Sequence, residues 1–114
     1  MYKFFNPIQD PKMIGLDEDL MKMLDAARYN ANIPFVITSG LRTPAENAAC
    51  GGVNDSSHLT GLAADILCEN DTDRYLIVNG AVQTGFKRIG LGNQHVHLDI
   101  DTSKPQNILW VENE

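Results

Sequence analysis

The residues of this chain that could do chemistry lie in two short segments, which together hold all three of its histidines. The first segment contains His58 and Asp65, and the second contains His95, His97 and Asp99. Imidazole nitrogens and carboxylate oxygens are typical zinc ligands, and catalytic zinc sites use three protein ligands plus a water. Two imidazoles and one carboxylate would therefore suit zinc, although a histidine in a strand is more often structural.

Two predicted strands must bring these segments together. Residues 95–100 alternate polar and apolar side chains, which is typical of a half-buried strand, and residues 62–67 are interpreted as a second strand. Because side chains alternate between the two faces of a sheet, Asp65 can lie opposite His97 if the strands pair. His58 precedes this strand on a loop, so the pattern predicts a site on one sheet face.

The other elements predict a single α+β domain spanning residues 1–114, a small antiparallel sheet with helices packed on it. Apolar spacing favours a helix over residues 16–29, and Trp110 is expected to dock the C-terminal tail on the body. Further elements are expected at 34–38 (strand), 45–50 (short helix), 71–83 (helix) and 87–91 (strand).

Composition narrows the possible functions. The 114 residues carry a net charge of −6, which argues against nucleic-acid binding through phosphate contacts, and no apolar run is long enough to span a membrane. The N-terminal segment lacks a secretory signal pattern, so we expect the protein to be synthesised in the cytoplasm. We also expect it to be a monomer. Free thiols are favoured for Cys50 and Cys68, although pairing stays open.

The two segments resemble a known family. Residues 56–65 match the signature Ser-x-His-x-x-Gly-x-Ala-x-Asp of the zinc D-Ala-D-Ala carboxypeptidases, and residues 95–97 match that family's His-x-His-like element. The same superfamily includes phage L-alanyl-D-glutamate endolysins and the amino-terminal domain of Hedgehog proteins. Residues 35–43 and 85–90 resemble further family segments, so the resemblance covers about 15–100.

The resemblance implies a ligand set and a substrate-binding group. His58, Asp65 and His97 match the ligands of one Zn²⁺ ion. Arg42 matches the arginine that binds and polarises the scissile carbonyl, a task that suits a permanently charged guanidinium. Ser56 matches a serine that can hydrogen-bond substrate, with a purely structural role in the loop as the alternative.

Two further residues near the last ligand are candidates for catalysis. His95 shares the strand face of His97 and is expected to stabilise the tetrahedral intermediate or a nearby carboxylate. Asp99 is a further carboxylate on that face, with orientation of a ligand or pairing with a basic neighbour as the alternative. Many superfamily members carry Glu or Asp three residues before the last histidine, but this chain has Gln94, which cannot accept a proton.

The resemblance implies a zinc-dependent peptidase that hydrolyses peptidoglycan stem peptides with metal-activated water. It leaves open a D-Ala-D-Ala carboxypeptidase or an L-Ala-D-Glu endopeptidase, acting at the cell wall after phage lysis or on a virion. Gln94 keeps a second hypothesis open, a non-catalytic zinc module that binds a wall peptide or a protein. A domain with structural histidines is the third.

Overall fold

The computed structural model describes residues 2–6 and 9–112 and confirms the predicted α+β class. The predicted limits 1–114 include residues 1, 7, 8, 113 and 114, which lie outside the described part. The helices are α1 (Glu18–Ala31), α2 (Pro44–Ala49) and α3 (Asp71–Thr84), with 3-10 turns at Pro11–Met13 and Ser57–Thr60. The strands are β1 (Ile37–Ser39), β2 (Ala63–Leu67), β3 (Arg88–Leu91), β4 (His95–Asp99) and β5 (Ile108–Val111).

The five strands form one sheet in the order β1-β2-β4-β3-β5. The prediction of an antiparallel sheet is corrected in one respect, because β5 pairs parallel to β3 while the other pairs are antiparallel. Asp99, the last residue of β4, lies opposite Arg88, the first residue of β3. Residues 100–107 then cross to the far side of β3, so Ile108 starts β5 beside Arg88 and the two strands run together.

The two long helices begin where capping residues satisfy their first backbone N–H groups. The Asp17 carboxylate accepts from the N–H of Asp19 at 2.8 Å, and the Asn70 side chain caps α3. The helices pack closely where α3 has Gly80, at which a Cβ atom would lie 2.7 Å from the carbonyl oxygen of Ala27. Within the described residues, no helix is long and apolar enough to cross a bilayer.

The apolar core fills one face of the sheet, beneath α1 and α3. Its fully buried members come from both helices and from alternate positions of the strands, among them Leu20, Leu24, Ala64, Ile66, Ile77, Val96 and Leu98. Because successive side chains in a strand point to opposite faces, the intervening residues of β2 and β4 face away from this core. That second face carries the polar residues of the predicted site.

Candidate metal centre

Two histidines and one aspartate converge on the polar face of the sheet. His58, Asp65 and His97 each offer one ligand atom, and these atoms lie within 4.8 Å of one another. All three residues are buried, so water competes weakly for their donor atoms. In residues 2–6 and 9–112 this is the one group of three or more His, Cys, Asp or Glu side chains close enough to hold a metal ion.

The strand register and one tight turn produce this convergence. Asp65 in β2 is the direct partner of His97 in β4, as the alternation predicted. His58 lies in the 3-10 turn just before β2, where the Ser56 hydroxyl accepts from its backbone N–H at 3.2 Å. The turn ends at Gly61, whose φ of 75° favours glycine and where a Cβ would lie 2.6 Å from a neighbouring carbonyl oxygen.

Hydrogen bonds on the far side of each imidazole select the nitrogen that faces the centre. His58 Nδ1–H donates to the carbonyl oxygen of Gly40 at 2.8 Å, and His97 Nε2–H donates to Asp99 Oδ2 at 2.7 Å. The opposite nitrogens, His58 Nε2 and His97 Nδ1, lie 3.2 and 3.1 Å from Asp65 Oδ1. Metal-binding histidines are typically held in this way, with the second ring N–H donated to a carbonyl or a carboxylate.

The electrostatics of the metal-free cluster favour charged groups despite their burial. Burial disfavours the Asp65 carboxylate, but its contacts with His58 and His97 outweigh that effect and hold its pKa well below the ordinary range. Burial likewise disfavours a charged His97, but its hydrogen bonds to Asp65 and Asp99 raise its pKa to about 9. Without a metal, a proton therefore occupies the position between His97 and Asp65 at neutral pH.

Asp99 occupies the position of a residue that orients a ligand. It is 1% exposed, and its Oδ1 accepts from Arg88 Nε at 2.8 Å and from the N–H of Asp101 at 3.0 Å. Its other oxygen accepts from His97, so both carboxylate oxygens are engaged behind the imidazole. Asp99 therefore orients the His97 ligand and pairs with a basic neighbour, which is the alternative named in the sequence analysis. This geometry gives no support to a direct catalytic role.

Arg42 lies beside the cluster, as the resemblance implied. Its Nε donates to Ser39 Oγ at 3.0 Å, and one terminal nitrogen lies 3.3 Å from Asp65 Oδ2. The other terminal nitrogen lies 3.4 Å from Asn47 Oδ1, which fixes the plane of the guanidinium. The side chain is 18% exposed, so its edge reaches an open cleft beside the cluster and can contact a ligand there.

Ser56 lies at the same cleft, and its hydroxyl makes a hydrogen bond within the 3-10 turn. Its oxygen accepts from the His58 N–H, which is the structural role in the loop named above as the alternative. Ser56 also lines the cleft, so the predicted contact with substrate stays a prediction.

His95 is paired with a residue that the sequence did not single out. His95 Nε2–H donates to Glu112 Oε1 at 2.6 Å, and Glu112 Oε2 accepts from Trp110 Nε1 at 3.2 Å. The ring centre of Trp110 lies 5.4 Å from that of His97. The position of Trp110 in a strand was missed, although the apolar run 108–111 is a recognisable strand pattern.

The cluster forms part of the wall of an open cleft of about 750 Å³. The cleft is lined by charged side chains of both signs, namely Arg42, Arg88, Lys104, Asp55, Asp65, Asp99 and Glu112. Cys50 lines the cleft as well and is exposed, whereas Cys68 is buried, and both thiols are free as expected. Gln94 is exposed and is not among the lining residues.

The donor set fits a zinc ion. Two imidazole nitrogens and one carboxylate oxygen are ligands that zinc accepts, and the hydrogen bonds of Gly40 and Asp99 leave the required nitrogen lone pairs directed inward. His97 must lose a proton when a metal binds, so binding is coupled to pH. The cluster borders the cleft, which leaves one side for a water or a substrate oxygen.

Comparison with known proteins places the chain in a family. A search of curated proteins found no match. Among solved structures, the fold is similar to that of the L-Ala D-Glu endopeptidase ChiX of Serratia marcescens, with a TM-score of 0.61 and 21% sequence identity over 87% of this chain and 90% of that one. The family model for peptidase M15 matches residues 6–100, which includes every residue of the metal cluster. The chain therefore belongs to the peptidase M15 family.

Proposed function

We propose that this protein is a zinc-dependent peptidase that hydrolyses the stem peptides of peptidoglycan. The observation that carries the proposal is the buried His58/Asp65/His97 cluster beside an open cleft, in a chain of the peptidase M15 family. The similar fold of an L-Ala D-Glu endopeptidase supports that bond as the first to test. In this proposal the protein reaches the wall after phage lysis or on a virion.

Two side chains beside the cluster have a task in the proposed hydrolysis. When bound, zinc supplies Lewis-acid chemistry, which makes water more acidic and polarises a carbonyl group. Arg42 points its guanidinium edge at the cleft and would donate hydrogen bonds to the carbonyl oxygen as negative charge develops there. His95 lies on the same face of β4 as His97, where its imidazole can exchange a proton with the reacting groups.

The rim of the cleft supplies charge for a substrate that carries carboxylates. Stem peptides present a carboxylate at D-Glu and at a terminal D-Ala. Lys104 and Arg42 both line the cleft and are candidates to bind such a group. Which carboxylate they contact decides between an endopeptidase and a carboxypeptidase.

The test is digestion of purified peptidoglycan with zinc-loaded protein, with the released ends identified by mass spectrometry. New L-Ala carboxyl ends and D-Glu amino ends would establish the endopeptidase, and free D-Ala would establish the carboxypeptidase. A parallel sample of His58→Ala serves as the control, because it removes a ligand and should release neither. Failure of the zinc-loaded protein to cleave any stem-peptide bond would refute the proposal.

Gln94 favours one competing function. This exposed amide takes the position at which many superfamily members carry a carboxylate, so the domain could bind zinc and a wall peptide without cleaving it. In that case the protein would sediment with peptidoglycan sacculi, and His58→Ala would lower stability without changing any measurable hydrolysis. The peptidase proposal requires the opposite, namely loss of product in this variant.

A further inference from the structure

The proposed hydrolysis needs a proton acceptor that Gln94 does not provide. The Gln94 side chain is exposed, and its backbone carbonyl accepts from Cys68 N–H at 2.9 Å at the end of the sheet. An amide has no basic site for the proton of an attacking water. Another group at the cleft must therefore accept this proton if the site is to act at full rate.

Among the described residues, four carboxylates line the cleft, and three of them are poorly suited to assist this proton transfer. Asp65 belongs to the metal cluster, and Asp99 is fully buried behind the His97 imidazole, out of reach of a substrate. Asp55 is exposed in the loop before the 3-10 turn. Glu112 remains, and it lies outside the group of metal-ligating atoms.

Glu112 is held in one orientation and still reaches the cleft. One oxygen accepts from His95 at 2.6 Å, and the other accepts from the Trp110 indole N–H at 3.2 Å. The side chains of His95 and Glu112 are 21% and 26% exposed, so the pair is open enough for substrate contact. The hydrogen bond from His95 outweighs partial burial and lowers the pKa of Glu112, which keeps this carboxylate ionised at neutral pH.

The pairing of β5 with β3 places this carboxylate at the cleft. The N–H of Glu112 donates to the carbonyl of Leu91 at 2.8 Å, which extends the parallel pairing with β3 by one residue. Trp110 lies opposite Gly90, which in turn lies opposite His97. A Cβ at Gly90 would be 2.8 Å from the indole ring and 2.9 Å from Glu112 Oε2, so the absence of a side chain there makes room for both.

We infer that Glu112 and His95 form a carboxylate–imidazole pair that carries out proton transfer in the hydrolysis, with Glu112 as the positioning residue that holds and polarises the imidazole. This inference rests on the proposed function. As the water oxygen bonds to the carbonyl carbon, the pair takes up the proton that the water loses. The same proton passes to the leaving nitrogen as the C–N bond breaks, so the pair returns to its initial state and no electrons are exchanged.

The experiment compares the zinc-loaded protein with Glu112→Gln, Glu112→Asp, His95→Ala and the double variant Glu112→Gln/His95→Ala. The matched control is Glu69→Gln, an exposed carboxylate just after β2 and outside the cleft. The readouts are kcat and KM on a cleavable stem peptide, the pH profile of kcat/KM, and zinc content. The proton NMR signal of the His95 ring N–H is followed in metal-free protein, so one readout does not depend on activity.

We expect Glu112→Gln to lower kcat about 100-fold to 1,000-fold with KM and zinc content unchanged, and Glu112→Asp to recover part of the loss. The double variant should be no slower than His95→Ala, because the two residues act as one unit. The far-downfield N–H signal typical of a short hydrogen bond to a carboxylate should disappear in Glu112→Gln and persist in Glu69→Gln.

Several outcomes would overturn the pair. A kcat within threefold of wild type for Glu112→Gln would do so, as would losses in the double variant that multiply as if the two residues acted independently. Loss of zinc on changing Glu112, or inactivation by Asp55→Asn instead, would also overturn it. If the wild-type protein cleaves no stem peptide, the proposed function fails separately. The NMR signal then decides the pair, and its absence in wild type refutes the inference.

Discussion

Replacing Asp99 by asparagine should reverse the tautomer of a metal ligand while keeping the shape of the side chain. The asparagine oxygen must replace Oδ1, which accepts from Arg88 Nε and from the N–H of Asp101. The amide nitrogen then faces His97 Nε2, where the carboxylate oxygen had accepted a hydrogen bond at 2.7 Å. Two donors cannot share that contact, so the His97 proton moves to Nδ1, the nitrogen that faces Asp65.

The size of the effect follows from these contacts. Loss of the hydrogen-bond partner of a metal-binding histidine costs about 10-fold to 100-fold in metal affinity. The upper end, about 2.8 kcal/mol, is expected because the new donor opposes the required tautomer. In addition, the acceptor of two hydrogen bonds loses its negative charge and the ion pair with Arg88 is lost, which lowers the free energy of unfolding by about 2 kcal/mol.

The assay is zinc competition against a chromophoric chelator at pH 7.5, on protein shown to be folded by circular dichroism. Asp19→Asn is the matched control, because Asp19 is exposed in the first turn of α1 and its replacement removes the same charge. A folded Asp99→Asn variant that binds zinc within threefold of the wild-type affinity would refute the orienting role of Asp99.

Three further predictions concern the same face of the sheet. Arg42→Lys should lower kcat about 100-fold with one zinc still bound, because a lysine cannot keep the planar contacts while donating to the carbonyl, and metal analysis with steady-state kinetics tests this. Gly90→Ala should displace the indole of Trp110, the sole tryptophan, and shift its fluorescence to longer wavelength; an unchanged spectrum would contradict the close packing. In metal-free protein kept in a chelator, the raised pKa of His97 should add to the free energy of unfolding. This contribution should be fully present below about pH 6.5 and be lost as the pH rises through about 9. The contribution of Asp65, whose pKa is lowered, should be lost only as the pH falls below about 4. Denaturant unfolding across this range checks both signs, and zinc affinity should rise between about pH 7 and pH 9 as His97 loses its proton.

The sequence predicts the centre of the site well because strand alternation is a local property. Once residues 62–67 and 95–100 are interpreted as strands, the period of two places Asp65 and His97 on one face, and the structure pairs them directly. His58 follows from its position just before the first of these strands. The helices are likewise predicted to within a few residues, because apolar spacing and capping residues are local signals.

The parts that the sequence did not predict depend on contacts between distant segments. The Gly40 carbonyl that orients His58 is a backbone group, which no side-chain pattern reveals. The parallel pairing of β5 depends on how residues 100–107 cross the sheet, and Glu112 reaches His95 only through that pairing. The first strand starts at Ile37 and not at 34, where Pro34 has no N–H to donate to a neighbouring strand.

The most direct test of the account is zinc K-edge X-ray absorption of protein loaded with one equivalent of zinc. A His58/Asp65/His97 centre should show nitrogen and oxygen ligands only, at about 2.0–2.2 Å, with the outer-shell signal of two imidazoles that falls to one in His58→Ala. A sulfur ligand at about 2.3 Å would show that the exposed Cys50 thiol of the cleft binds the metal. That result, or an imidazole signal unchanged in His58→Ala, would contradict the assignment of His58, Asp65 and His97 as the metal centre.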